Sequence, residues 1–398
     1  MPEQIKQRPV FISTALSLSI VLFLLFSMVS ISLSQIFLFL AFVFWLLILV
    51  REKQRPRFPS FFWPLLVYSL LSLLSSFFSV NPEISLKDSR ELLLFLIVPI
   101  VYWGFTEEKI LLKAQLAFLG SAYLSILYSF FVFFFSSSPG ERSTGFMGHY
   151  MTQAGLLLLF STMALSLFLF SRDKFRYLWG IGFFLALWAL GLTLTRSAWL
   201  GLIIAVSILL LLYRPLSLIV VPVALGLFLI LSPGNIRQRA LSTFSSKTPS
   251  NQWRMEYIKA GVKIIKEYPL FGTGPDTVDM VFQNPKYELS DLAKQNVHLH
   301  SNIIQIAAER GIPALVVWVT FLIWTFLSLL KQLKKKLPPL YPFAAAGIAA
   351  IGGLFTAGLF EYNFADSEII TLFLYMMTIP FAFDRILTTK TAKGDNFQ

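Results

Sequence analysis

The sequence predicts an all-α polytopic membrane protein, and two observations carry that prediction. Of the 398 residues, 56% are hydrophobic, only 14% are charged, and the mean hydropathy is +0.70. A water-soluble core cannot bury so much apolar surface, so lipid must solvate part of it. The apolar residues also occur in successive runs, separated by charges, prolines or glycines. Most of these runs are long enough to cross a bilayer as helices.

Runs of roughly 17–25 apolar residues predict about twelve transmembrane helices. In chain order they cover 10–29, 31–50, 61–80, 91–105, 110–135, 150–171, 176–195, 197–213, 215–231, 302–330, 341–360 and 368–384. The first run has no features of a cleaved signal peptide, which favours a retained span. We therefore expect residues 1–398 to form a single transmembrane domain, with 232–301 as one large loop between the ninth and tenth spans.

Lysine and arginine predict how the chain is oriented, because short cytoplasmic loops retain positive charge. Basic clusters occur at 51–57, 172–176 and 331–336, which are alternate loops on the same side as both termini. That side is expected to be cytoplasmic, and 232–301 then lies on the opposite side. The net charge of +12 is explained by attraction to anionic membrane lipids rather than by binding to nucleic acid.

The loop 232–301 contains a predicted amphipathic helix. Its apolar positions recur at helical spacing and its lysines lie opposite, the apolar set being Trp253, Tyr257, Ala260, Gly261, Ile264, Ile265 and Tyr268 and the basic set Lys259, Lys263 and Lys266. Arg254 falls near the start of this helix, where the helix dipole adds to its charge and favours an anion. The alternative is a basic surface helix that binds lipid head groups.

Two other arginines, Arg142 and Arg196, stand alone among small or apolar residues in short loops on the same face. A lone arginine near the bilayer costs on the order of 2.5–3.5 kcal/mol unless it reaches the interface or meets an anion. Both are candidate contacts to an anionic substrate, with simple snorkelling to the interface as the alternative.

The tenth predicted span begins with an unusual run of polar residues. His298, Asn302, Gln305 and Glu309 are spaced so that one helix could present all four on one face, whereas His300 would point elsewhere unless the helix begins near Ser301. A histidine pair at a water boundary favours proton transfer, and the polar residues of the span could alternatively bond neighbouring helices. No cysteine or suitably spaced carboxylate set completes a metal site, so no metal or other cofactor is expected.

Several short motifs resemble, in their order and spacing, the O-antigen ligase superfamily. They are Arg142-Ser-Thr-Gly145-Phe-Met-Gly148, Leu194-Thr195-Arg196-Ser197-Ala198-Trp199, Trp253-Arg254 before Pro269-Leu-Phe-Gly272-Thr-Gly274, and His298-Leu-His300 with Gln305, Glu309 and Gly311. The resemblance spans roughly residues 140 to 367. It implies a glycosyltransferase of the bacterial inner membrane that works at the periplasmic face, without metal or nucleotide.

The resemblance also implies the substrates and the site residues. A glycan would pass from undecaprenyl diphosphate to an acceptor hydroxyl, that of lipid A-core oligosaccharide in a ligase of lipopolysaccharide biosynthesis. Arg196 and Arg254 match the arginines that bind the diphosphate, with Arg142 as a further contact. His300 matches the proposed base, and His298 is the other candidate. Asn302, Gln305 and Glu309 are expected to support the site.

Two alternatives come from the same superfamily and one from another class. An O-antigen polymerase or a protein O-oligosaccharyltransferase would use the same donor with a different acceptor. A secondary transporter would also suit about twelve spans with internal polar residues. Against the transporter, the two halves of the chain are not similar, and the polar residues crowd one surface instead of lying at mid-span.

Overall fold

The computed structural model describes residues 10–53, 55–135, 142–232, 234–242 and 248–392. Within these ranges every regular element is a helix. In chain order the α-helices are α1 (Val10–Phe26), α2 (Ile31–Glu52), α3 (Phe62–Phe77), α4 (Pro82–Asp88), α5 (Ile97–Gly104), α6 (Glu108–Phe135), α7 (Tyr150–Phe170), α8 (Arg176–Leu192), α9 (Arg196–Tyr213), α10 (Val220–Leu231), α11 (Gly234–Leu241), α12 (Pro249–Glu267), α13 (Val278–Phe282), α14 (Asn302–Lys334), α15 (Tyr341–Gly358) and α16 (Ser367–Ala392).

The predicted membrane class is supported, whereas the count of twelve full-length spans is not confirmed. Among the described residues, seven helices are long and apolar enough to cross a membrane, namely α2, α6, α7, α9, α14, α15 and α16. Four shorter apolar segments accompany them, containing α1, α3, α8 and α10. We therefore treat the chain as a membrane protein with at least these seven crossings available.

Two predicted spans are interrupted. The segment 91–105 contains a 3₁₀ helix, Ser89–Leu96, followed by the eight residues of α5. The segment 215–231 likewise begins as a 3₁₀ helix and continues as the twelve residues of α10. Pro99 and Pro222 each stand third in their α-helix. A proline is tolerated in a first turn but removes a hydrogen bond from a helix that would continue through it, so both α-helices start late.

The core of the bundle lies around α7, α15 and α16. Most side chains of α7 and α15 are buried, and small residues allow close helix packing. A Cβ atom on Gly201 of α9 would collide with the carbonyl oxygen of Gly353 on α15. Membrane helices have no hydrophobic drive to associate within lipid, so such close backbone approach is what holds α9 against α15.

The long helices connect two chemically distinct ends of the bundle. At one end, which we call the basic end, Lys335 pairs with Asp384 at 2.6 Å and the Trp103 indole donates to the carbonyl of Arg57. Arg57 and Lys335, from the predicted cytoplasmic loops 51–57 and 331–336, both lie at this end. The helices α14 and α16 run from this end to the other, where the loops containing the candidate residues meet. We call the latter the site end.

The tenth span is broken near the site end. Within α14, Gly311 has a φ of 84° and leaves the helical conformation. The turn 269–275 fills the gap, since Thr273 and Gly274 donate their amides to the carbonyls of Ala308 and Glu309 at 2.9 and 2.8 Å. The amide of Ile312 donates in turn to Pro269. Irregular backbone at this depth is tolerated because protein groups satisfy it.

Candidate active site

A buried polar network runs along the first part of α14. The Gln305 amide donates to Glu309 Oε1 at 2.8 Å, and Arg310 Nη1 donates to Glu309 Oε2 at 2.8 Å. Arg310 also bonds the Tyr362 hydroxyl at 2.9 Å and lies 3.4 Å from Asp88. Gln305 and Glu309 are at most 1% exposed. These groups are hydrogen-bonded to one another and to neighbouring residues, so their role is to fix the backbone and side chains around the site.

Replacing Arg310 by alanine should destabilise the fold, because Glu309 would be left as a buried charge without its cation. Breaking one partner of a buried ion pair typically costs about 3–5 kcal/mol. Thermal unfolding in detergent should therefore show a clear fall in Tm. Adding Glu309→Gln to Arg310→Ala should restore part of the lost stability, because the Glu309 position is then neutral and Asp88 alone keeps a charge without its cation. Equal Tm values for Arg310→Ala and the unchanged protein would contradict a structural role for this pair.

The two histidines lie outside α14, which begins at Asn302. The predicted face that would join His298 to Asn302, Gln305 and Glu309 is therefore wrong for His298. The segment before the helix turns back instead, and the amide of Leu299 donates to Gln305 Oε1 at 2.6 Å. This bond holds Leu299 in place, so His298 and His300 extend from a fixed backbone.

His300 forms a pair with a carboxylate. Its Nδ1 lies 3.2 Å from Glu361 Oε1, and the two side chains are 19% and 12% exposed. The ring packs against Tyr257 of α12, with ring centroids 5.3 Å apart. His300 also has a φ of 49°, which is rare for a residue with a side chain and typical of functional positions. A carboxylate on Nδ1 orients the imidazole and leaves Nε2 free to accept a proton.

Asn302 positions the loop that carries Glu361. Its side-chain oxygen accepts from the amides of Asn363 and Phe364 at 3.0 and 3.1 Å, and its amide donates to Asn363 Oδ1 at 2.8 Å. Asn302 is 3% exposed. Its role is therefore to join the start of α14 to the loop between α15 and α16, which brings Glu361 to His300.

Arg196, an expected diphosphate contact, is occupied by protein groups. Its two terminal nitrogens donate to the Ser242 carbonyl, the Ser250 hydroxyl and the Asn251 side-chain oxygen at 2.8, 2.9 and 2.8 Å. The residue is 5% exposed. The bonds to Ser250 and Asn251 tie the start of α9 to the start of α12. Arg196 thus sets where α12 and its Arg254 lie.

Arg254 of α12 differs from Arg196 in having no protein partner among the described residues. No hydrogen bond or ion pair joins it to another described residue. Its pKa is lowered, first by burial and further by the nearby charge of Arg142, whereas the charge of Glu361 opposes the shift. A guanidinium that has lost water and lies near other cations is stabilised when an anion binds.

Two further arginines complete a basic cluster, which we define as Arg142, Arg196, Arg239 and Arg254. Arg142 stacks over the Tyr150 ring with its Cζ atom 4.3 Å from the ring centroid. Arg239 of α11 donates to the carbonyl of Leu194 at 3.3 Å, and burial together with the charges of Arg142 and Arg254 lowers its pKa. Crowded cations of this kind would be stabilised by a bound anion.

A cavity of about 400 Å³ adjoins the histidines at the site end. His298 and Glu361 line it, as does His149, the third histidine of the chain. Burial lowers the pKa of His298, with the neighbouring His300 as the next cause, so His298 is neutral near pH 7. Asp276, in the turn before α13, also lines this cavity. Among the described residues no cluster of three or more His, Asp or Glu side chains is arranged to hold a metal ion.

The structure thus brings His300, His298 and Arg254 together and assigns Asn302, Gln305, Glu309 and Arg196 to positions that support them. Three important residues were not singled out from the sequence: Glu361, Arg239 and Arg310. A usable signal existed for Glu361, since an acidic residue just after an apolar span on the same face as the histidines is a candidate partner. Arg239 and Arg310 had no such signal, because neither stands alone: Arg237 lies two residues before Arg239, and Glu309 directly precedes Arg310.

Comparison with known families finds a match for this chain. Residues 181–319 match a family described as O-antigen ligase. The matched range contains Arg196, Arg254, His298, His300 and the break at Gly311. The match confirms the predicted resemblance to the O-antigen ligase superfamily. A membrane glycosyltransferase-like enzyme is thereby supported. Comparison with curated proteins finds no match.

Proposed function

We propose, from the similarity to O-antigen ligases, that the protein transfers a glycan from undecaprenyl diphosphate to a hydroxyl of an acceptor glycan. The preferred acceptor is lipid A-core oligosaccharide, and the reaction takes place at the periplasmic face of the inner membrane. The observation that carries the proposal is the position of Glu361. It bonds His300 at 3.2 Å and its charge acts on Arg254, so a proton acceptor and an anion site are neighbours.

The chemistry requires one bond to form and one to break. The acceptor oxygen attacks the anomeric carbon of the donor sugar, and the bond from that carbon to the diphosphate oxygen breaks. The electron pair leaves with the diphosphate. Arg254 of the basic cluster stabilises the negative charge of this leaving group. The hydroxyl proton passes to Nε2 of His300, while Glu361 stabilises the resulting imidazolium.

A transfer assay with reconstituted protein tests this function directly. Proteoliposomes receive a purified lipid-linked donor with a labelled glycan and a lipid A-core acceptor. The expected result is labelled acceptor together with released undecaprenyl diphosphate. A secondary transporter would instead move a solute into the vesicles and leave the donor intact. Donor that stays intact with every acceptor offered would overturn the proposal.

The orientation can be tested by cysteine labelling, since the natural chain contains no cysteine. We expect Asp291→Cys, in the exposed part of 232–301, to react with a membrane-impermeant maleimide in cells whose outer membrane has been permeabilised. Lys174→Cys, in a basic loop, should react only after the inner membrane is also opened. Labelling of Lys174→Cys alone in cells with a closed inner membrane would reverse the proposed topology.

Glu361 should affect turnover more than donor binding. Glu361→Gln keeps a group of similar shape but removes the negative charge that stabilises a protonated His300, so kcat should fall by about tenfold or more. Binding of the lipid-linked donor, measured separately, should change little. Glu368→Gln, a nearby carboxylate outside the His300 pair, is the matched control. A kcat equal to that of the unchanged protein would remove Glu361 from the mechanism.

A further inference from the structure

The cavity next to His298 has a composition opposite to that of the basic cluster. Six carboxyl groups line it, belonging to Asp88, Glu91, Asp276, Glu309, Glu361 and Asp366. The positive charge of Arg310 is already shared with Glu309 at 2.8 Å and Asp88 at 3.4 Å. Glu361, the carboxylate partner of His300, thus lines the acidic cavity, and its charge also acts on Arg254 of the basic cluster.

Two nitrogen atoms at this cavity have no hydrogen-bond partner within the part of the chain that the structure describes. They are Nδ1 of His298 and Nε of Arg310, and both are buried. Arg310 as a whole is 8% exposed. Both atoms are covered by protein, so a ligand in the cavity would meet the other polar atoms of its wall, mainly the carboxyl oxygens.

The electrostatics of the cavity oppose further negative charge. The pKa of Glu91 is raised to about 7, first because it loses water and then because Asp88 lies close. The pKa of Asp276 is raised by the same causes, burial and the charge of Asp88. Burial, followed by interaction with Glu368, raises the pKa of Asp366. An anionic ligand would raise these pKa values further and would be repelled, whereas hydroxyl and amine groups donate to carboxylate oxygens.

We propose that this cavity is the acceptor subsite and binds the terminal sugar of the acceptor glycan. That sugar is either uncharged or an amino sugar, and a terminal sugar that carries phosphate or carboxylate is excluded. This inference rests on the proposed function and adds the charge class of the acceptor. A volume of about 400 Å³ lies within the range of small-molecule sites. The arrangement orients the reaction, because the anionic donor head binds on the arginine side and the acceptor enters from the acidic side.

The test uses acceptors that share one lipid-anchored oligosaccharide and end in glucose, glucosamine or glucose 6-phosphate. Binding of each to the full-length protein is measured by calorimetry, and transfer is measured in proteoliposomes. The glucose and glucosamine forms should bind and accept glycan, and the phosphate form should bind at least tenfold more weakly. Asp276→Asn combined with Glu91→Gln should raise the acceptor KM about tenfold, with hydrolysis of the donor by water unchanged.

Two further variants make the result specific. Asp276→Lys should narrow the difference between the glucose and glucose 6-phosphate acceptors, because it reverses one charge of the cavity wall. Asp291→Asn, an exposed carboxylate of the same segment that does not line the cavity, should change nothing. The inference is overturned when the phosphate-bearing acceptor binds as well as the neutral one, or when the cavity variants leave the acceptor KM unchanged. Failure of the proposed function would look different, since neutral acceptor would still bind but no donor would be consumed.

Discussion

Replacing His300 by alanine is expected to lower the transfer rate by about 10²–10⁴-fold, the usual contribution of a general base. The acceptor hydroxyl would then have to lose its proton without the imidazole that Glu361 orients at 3.2 Å. Donor binding should persist, because the proposed diphosphate site is at Arg254 and not at His300. Single-turnover kinetics in proteoliposomes, with donor binding measured in parallel, separates the two effects.

The neighbouring histidine provides the matched control. His298→Ala should reduce transfer less than His300→Ala, since His298 makes no hydrogen bond through Nδ1 and has no carboxylate partner among the described residues. Its loss should appear mainly as a higher acceptor KM, because it lines the cavity. An inactive His298→Ala beside a largely active His300→Ala would exchange the two roles and make His298 the base.

Arg254→Ala is expected to abolish measurable transfer. The donor diphosphate would lose a half-buried guanidinium of the basic cluster that has no hydrogen-bond partner within the described ranges. Truncating one member of a desolvated charge pair costs on the order of 2–5 kcal/mol. Arg254→Lys should recover only part of the activity, because an ammonium group lacks the planar pair of donors that matches a phosphate. Donor affinity, measured by binding to detergent-solubilised protein, should fall in the same order.

Two comparisons decide whether Arg254 acts on the substrate. Lys259→Ala removes a positive charge from the exposed face of the same helix and should leave transfer near its normal level. Arg196→Ala should also be inactive, but with a lower Tm, because it releases the start of α12 from α9. Arg254→Ala should keep the Tm of the unchanged protein. If Arg254→Ala is present at a normal protein level and transfers glycan at the normal rate, Arg254 does not bind the substrate. The alternative, that its helix binds lipid head groups, would then hold.

The amphipathic helix shows how far a periodic pattern can be trusted. Tyr257, Ala260 and Ile264 were expected on one apolar face, and all three are at most 1% exposed in α12. The pattern did not say what covers that face. In the structure it packs on residues of the same loop and on Leu299 and Ala308, so α12 lies across the start of α14.

The pairing of His300 with Glu361 shows where such patterns stop. The two residues are 61 positions apart, and their contact depends on Asn302 bonding the loop after α15. No spacing rule links them. Arg196 makes the same point, because a lone arginine near a membrane surface is equally compatible with an anion, a head group or the Ser250 and Asn251 side chains that it actually binds.

The sequence by itself determined the membrane class, most of the helices, the face on which the polar residues gather and the similarity to O-antigen ligases. These follow from composition, local periodicity and the order of short motifs, which the chain carries along its length. The tertiary structure alone decided that Glu361 pairs with His300, and that Arg196 binds protein groups while Arg254 has no partner among the described residues. It also decided that an acidic cavity adjoins Glu361. Such contacts depend on how helices far apart in the chain pack, and hydrogen bonds between distant loops leave no periodic trace.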